Sequence, residues 1–125
     1  MALVALNNTI TLALSVKDRH ASAAWYAEKL GFELIFHADE AGWSEMQTKT
    51  DGVTLGFGEQ ADPTPGNSVP VFGVGDISAA RTALEGAGVR FDGPTEVIDG
   101  MASIATFYDP DGNALMIAED TSGQG

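Results

Sequence analysis

The chain has 125 residues, 44% of them hydrophobic, which suffices for one domain with a packed core and excludes a disordered composition. Its 18 acidic and 6 basic residues give a net charge of −12, which repels phosphate backbones and anionic membranes, so nucleic acid and membrane are not expected partners. With no cysteine there is no disulfide, zinc–thiolate site or thiol nucleophile, no apolar run approaches the ~18 residues of a membrane span, and no basic leader is visible, so a cytoplasmic location is expected.

Residues 9–16 alternate, with Leu12, Leu14 and Val16 on one face and Thr9, Thr11, Ala13 and Ser15 on the other, the pattern of a half-buried strand. Asp18 can cap a helix whose Ala23, Tyr26 and Leu30 share a face, with Trp25 beside them as core packing, and Gly31 marks its end. Residues 32–38 read as a strand, 39–42 as a turn, and 43–48 and 53–58 as two strands around an Asp51-Gly52 turn. Residues 60–68, with two prolines and a glycine, form a linker. The order then repeats: a strand over 69–74, Asp76 as cap, a stripe of Ile77, Ala80, Leu84 and Ala87, and Gly88 as stop. A short strand over 89–91 follows, then strands over 104–108 and 114–118 around Asp109-Pro110-Asp111-Gly112.

The halves correspond at offsets of 57 to 60 residues, each reading strand–helix–strand–strand–strand. Half a domain of that size is marginal alone, so the halves should pack or pair. Leu12, Leu14, Val16, Val53, Leu55, Phe57, Leu115 and Ile117 should lie under the helices. That leaves Thr9, Thr11, Ala13, Thr54, Gly56, Ala114, Met116 and Ala118 on the opposite face, either a cavity wall or a bare solvated face; small and apolar residues favour the wall.

Leu14-Ser15-Val16-Lys17-Asp18, Ala24-Trp25-Tyr26-Ala27-Glu28-Lys29-Leu30-Gly31-Phe32 and Phe107-Tyr108-Asp109-Pro110-Asp111-Gly112-Asn113-Ala114-Leu115, in register twice, resemble the vicinal oxygen chelate superfamily of glyoxalase I, extradiol dioxygenases and bleomycin resistance proteins. The resemblance spans residues 9–119 and implies an α+β fold: two paired βαβββ modules forming a curved mixed sheet with a central cleft, and a homodimer. One domain over 1–125 follows, with module one at about 9–59, linker 60–68, module two at about 69–119 and tail 120–125.

Metal-using members of this superfamily place four ligands in the cleft. The corresponding positions here are Thr11, Gly56, Val69 and Met116, none an imidazole or carboxylate, so neither metal nor other cofactor is expected. Glu59 and Glu119 lie three residues past the ligand positions, and an odd shift turns them to the other face. His20 reads as solvated at a helix start, and His37 as an edge histidine on the face of Glu33 and Ile35. The chain is therefore expected to be a metal-free small-molecule-binding protein of drug-sequestration type, holding a largely apolar and possibly cationic ligand; the net charge fits a cationic ligand but equally serves solubility. The alternative is a lyase, isomerase or dioxygenase, metal-dependent or using a carboxylate base. The expected ligand-binding residues are Thr11, Phe36, Trp43, Ser44, Met46, Gly56, Val69, Thr106 and Met116. By a repeat offset of 60, Ser44 and Met46 match Ile104 and Thr106 and face the cleft, placing Trp43 and Glu45 opposite unless a bulge intervenes. Glu45 is the catalytic candidate, as a buried base, against a solvent-facing strand carboxylate. Trp43 either stacks on a ligand or caps the core.

Overall fold

The computed structural model describes residues 2–108, 110 and 114–123. The Asp109, Asp111, Gly112 and Asn113 positions of the second hairpin turn lie outside them. The chain divides into two compact units, Ile10–Val69 and Pro70–Gly125 with Met1–Thr9, here the first and second modules. Strand β1 (Leu6–Val16) crosses that division, its residues 6–9 counting with the second module.

The first module continues with α1 (Arg19–Leu30), β2 (Glu33–Ala38), a 3-10 turn (Asp39–Ala41), β3 (Trp43–Gln47) and β4 (Val53–Glu59). Asp18 caps α1 by accepting the Ala21 N–H, and Gly31 ends it at φ 73°, a left-handed conformation natural to glycine. Its strands run β2-β3-β4-β1, antiparallel except for the parallel β4–β1 pair. The core under α1 is Ala23, Met46, Leu55 and Phe57, flanked by Leu14, Val16, Tyr26 and Phe32. Tyr26 packs against Phe57 at 5.3 Å between ring centroids, whereas Trp25 is 52% exposed and not part of the core. Helical geometry explains the correction: adjacent residues point about 100° apart, so both cannot enter a narrow stripe. In the linker, the Asn67 amide stands in for a neighbouring strand, accepting the Ser15 N–H at 2.8 Å and donating to the Ser15 carbonyl at 3.3 Å.

The second module contains β5 (Val69–Val74), α2 (Ile77–Gly86), β6 (Glu96–Ile98), β7 (Ala102–Tyr108) and β8 (Ala114–Asp120), in sheet order β5-β8-β7-β6. Asp76 caps α2 by accepting the Ala79 N–H, and Val74, Ile77, Ala80, Ala105 and Ile117 form the core. The strand expected over 89–91 falls instead at 96–98. Phe91 makes only a single bridge to Phe107, because the chain loops out at Gly93 (φ 72°) and Pro94, which has no N–H to donate, before pairing again. Arg81 pins that loop by donating to the Gly93 carbonyl at 2.7 Å and the Thr95 hydroxyl at 3.2 Å. Among the described residues no helix is long and apolar enough to cross a membrane.

Glu59 and Glu119 play matching parts. Glu59 accepts the N–H of Arg19, the first residue of α1, at 3.4 Å, and Glu119 that of Ile77, the first of α2, at 2.9 Å. Each carboxylate sits at the positive end of a helix on the core side of its sheet, as the odd shift requires. In the first module the contact extends into a network. Arg19 is 5% exposed. Its guanidinium donates to Glu59 at 3.1 Å, the Trp43 carbonyl at 3.2 Å, Ser44 Oγ at 2.9 Å and Asp39 Oδ1 at 3.1 Å. The hydrogen bonds from His20 and Arg19 hold the Asp39 carboxyl below its ordinary range. Replacing Arg19 by Met removes these bonds and leaves the buried Ser44 hydroxyl and Trp43 carbonyl short of a donor. Arg19→Met should lower stability by about 2–4 kcal/mol, read from urea denaturation midpoints; a change within about 0.5 kcal/mol would show the network to be incidental.

Candidate functional site

The first module has two sheet faces, one covered by α1. The other is built around Glu45 in the middle of β3. Its ladder partners are Gly56 on β4 and Phe36 on β2, which bring these residues onto one face. Glu45 Oε1 accepts from Trp43 Nε1 at 2.9 Å, and Oε2 accepts from Thr54 Oγ1 at 3.1 Å. Thr54 Oγ1 lies 2.7 Å from Thr11 Oγ1 across the parallel β4–β1 pair. The Trp43 indole packs against Gly56, where even a Cβ would overlap the ring, and reaches Gly58. The result is a half-buried carboxylate held by two hydrogen bonds, with an indole on one side, the Phe36 ring on the neighbouring strand and two threonine hydroxyls beyond.

Ser44 and Met46 lie on the other face, a correction to the expected assignment. Both are fully buried beneath α1, Met46 in the core and Ser44 bonded to Arg19 and to His37 Nδ1 at 2.6 Å, so neither lines the Glu45 face. The reason is a difference of one residue in loop length. Six residues separate the ladder pair Gln47–Thr54, but five separate Tyr108–Ala114. An offset of 60 that matches β4 to β8 therefore matches β3 to β7 at 61, and one residue of slip reverses a strand's faces. Ser44 corresponds to buried Ala105, not to Ile104.

His37 also changes face. The β2–β3 register shifts between Leu34 and Phe36, so Phe36 joins Glu45 and His37 joins Ser44 on the α1 side. There its ring stacks on His20 at 3.7 Å between centroids, and His20 Nε2 lies 3.0 Å from Asp39 Oδ1. Thr54 is not among the expected ligand-binding residues; its alternation with Leu55 places it on this face, but a threonine carries no chemistry until its carboxylate partner is known.

In the second module, Thr106 and Met116 are ladder partners on the face away from α2, and Val71 pairs with Met116 on the same face. Val69 opens β5 in the alternation phase of Val71. These residues offer a hydroxyl, a thioether and aliphatic surface. None of Thr11, Gly56, Val69 and Met116 offers an imidazole or carboxylate to a divalent metal, and the Trp43 ring covers Gly56.

The profile of the Glyoxalase/Bleomycin resistance protein/Dioxygenase superfamily matches residues 9–117. No curated protein matches the chain. Among solved structures, methylmalonyl-CoA epimerase from Mycobacterium tuberculosis superimposes with a TM-score of 0.76 at 16% identity, over 97% of this chain and 93% of that one. The Streptomyces coelicolor methylmalonyl-CoA epimerase, solved with 2-nitronate-propionyl-CoA, gives 0.71 at 17% identity, covering 94% and 99%. A structure described as NAD-dependent benzaldehyde dehydrogenase from Legionella pneumophila gives 0.70 at 17%, covering 90% and 99%. Identities this low establish a shared fold, and the differing activities in those descriptions leave function to the site. On the profile match, the chain belongs to the Glyoxalase/Bleomycin resistance protein/Dioxygenase superfamily.

Proposed function

We propose that the chain is a small-molecule-binding protein that holds its ligand, with no metal between them, against the Glu45 face of the first module. The observation that carries this reading is the pinned carboxylate: Trp43 Nε1 and Thr54 Oγ1 each bond a different oxygen of Glu45. Each carboxylate oxygen can accept twice, so both retain acceptor capacity for a cationic or N–H-bearing group. Trp43 and Phe36 supply aromatic surface beside it for an apolar or cationic body. A net charge of −12 draws cations toward the protein. Sequestration without turnover is the activity proposed, by a homodimer that light scattering would report at twice the 13.0 kDa chain mass.

The test is a panel of cationic aromatic antibiotics, bleomycin included, titrated against tryptophan fluorescence in metal-free buffer. Binding should quench emission and leave the ligand chemically unchanged. Glu45→Gln should weaken it about tenfold, the cost of about 1.4 kcal/mol for exchanging a charged acceptor for a neutral one. No binding across the panel, or equal binding by the variant, removes the reading.

Gly56→Ala is an independent check. The added methyl must lift the indole from Gly56 and with it the Trp43–Glu45 bond. We expect about 1–3 kcal/mol of lost stability, a red-shifted emission, and loss of ligand affinity from protein that remains folded.

A second reading has its own observation: a positioned carboxylate is also what proton abstraction from a carbon acid needs, and methylmalonyl-CoA epimerases are among the structural neighbours. In that reading Glu45 is the base. Deuterium uptake from D2O into methylmalonyl-CoA, abolished by Glu45→Gln, would establish it; no uptake above the uncatalysed rate would eliminate it for that substrate.

A further inference from the structure

The α1 side of the first module gathers three metal-ligating side chains that the Glu45 site does not use. His20 sits in the first turn of α1, His37 near the end of β2, and Asp39 opens the 3-10 turn that follows. One ligand atom from each can be chosen so that all lie within 4.8 Å of one another. We propose that His20, His37 and Asp39 form a binding site for a divalent transition metal of the zinc, nickel or copper type, separate from the Glu45 face.

The donor set suits these ions: two imidazole nitrogens and a carboxylate oxygen are the ligands of many three-residue zinc sites, which keep a further position for water. The surroundings supply the orienting contacts that such ligands use. His37 Nδ1 is 2.6 Å from Ser44 Oγ, and Arg19 Nη1 holds that buried hydroxyl from the other side at 2.9 Å. A metal on His37 Nε2 selects the tautomer in which Nδ1–H donates to Ser44, whose oxygen has a lone pair for each donor. Arg19 Nη2 likewise fixes Asp39 through Oδ1 at 3.1 Å, and among the described residues the second carboxylate oxygen has no such bond.

The spacing is close to what coordination needs. Ligand atoms about 2.0–2.1 Å from a tetrahedral ion stand roughly 3.4 Å apart; here one atom from each residue lies within 4.8 Å of the others, and an ion would replace the 3.0 Å hydrogen bond between His20 Nε2 and Asp39 Oδ1. The required movement is a turn of the His20 ring out of its stack on His37, whose planes now lie 18° apart. The His20 side chain is 56% exposed and Asp39 67%, so solvent and not packing surrounds the parts that turn. The Arg19 charge beside Asp39 opposes the ion, so the affinity expected is weaker than that of a structural zinc site.

The experiment is titration of chelator-stripped full-length protein with Zn²⁺ alone by calorimetry, and with Co²⁺ by visible absorption. One ion per chain should bind, with cobalt d–d bands reporting nitrogen and oxygen ligation. His20→Ala should weaken Zn²⁺ binding tenfold or more; its ring is exposed, so the variant should stay folded. His37→Gln should do the same, with folding checked by circular dichroism, while Glu45→Gln should leave the affinity unchanged. Absence of Zn²⁺ binding at millimolar concentration, or unaltered affinity in His20→Ala, overturns the site. Equal loss in Glu45→Gln would place the ion on the other face and overturns it as well.

Discussion

The guanidinium of Arg19 is the contact on which the first module's arrangement depends. A charge so nearly buried is costly unless each N–H finds a partner. Here it spans a helix start, the end of β4, the start of β3 and the turn after β2. The bond to Ser44 fixes which residues of β3 look toward α1. Alternation then sends Met46 into the core and turns Trp43 and Glu45 outward. Slipping β3 by one residue would turn the Glu45 carboxylate toward α1 and Met46 away from the core, so the Arg19–Ser44 bond and the hydrophobic core select the same register.

The second module reaches an equivalent frame by other means. Ile77 occupies the place of Arg19, and Glu119 accepts only its backbone N–H. Where the first module buries a guanidinium whose carboxylate partners reach solvent, the second buries an aliphatic chain against Val74, Ala105 and Ile117. The repeat thus conserves the carboxylate at the helix start while the residue at the helix start itself differs in kind.

The frame was legible in the sequence because it rests on local chemistry: Asp18 and Asp76 are caps, Gly31 a left-handed stop, and the alternation of Leu55 and Phe57 points to a core. What could not be read depends on counting between elements. The face of β3 turns on a hairpin loop one residue longer than its counterpart, and the face of His37 on a bulge, neither of which leaves a compositional mark. Arg19 escaped notice because a cation beside a capping aspartate reads as solvated surface. Its partners are distant in sequence. Thr11, Phe36 and Gly56 are candidates for this face from the sequence, while the repeat offset turns Trp43 and Glu45 to the other; the hydrogen bonds joining Trp43, Glu45, Thr54 and Thr11 emerge only once β3 is in register.

The ring of Trp43 on Gly56 also constrains how this face can change. A carboxylate or imidazole at position 56 would have to enter space the indole fills. Metal ligation from β4 therefore requires the indole to leave Gly56 first, by swinging away or by being replaced. That first step forfeits the hydrogen bond that holds Glu45. A lineage moving toward metal chemistry on this strand would pass through a protein with neither a metal nor a well-held carboxylate.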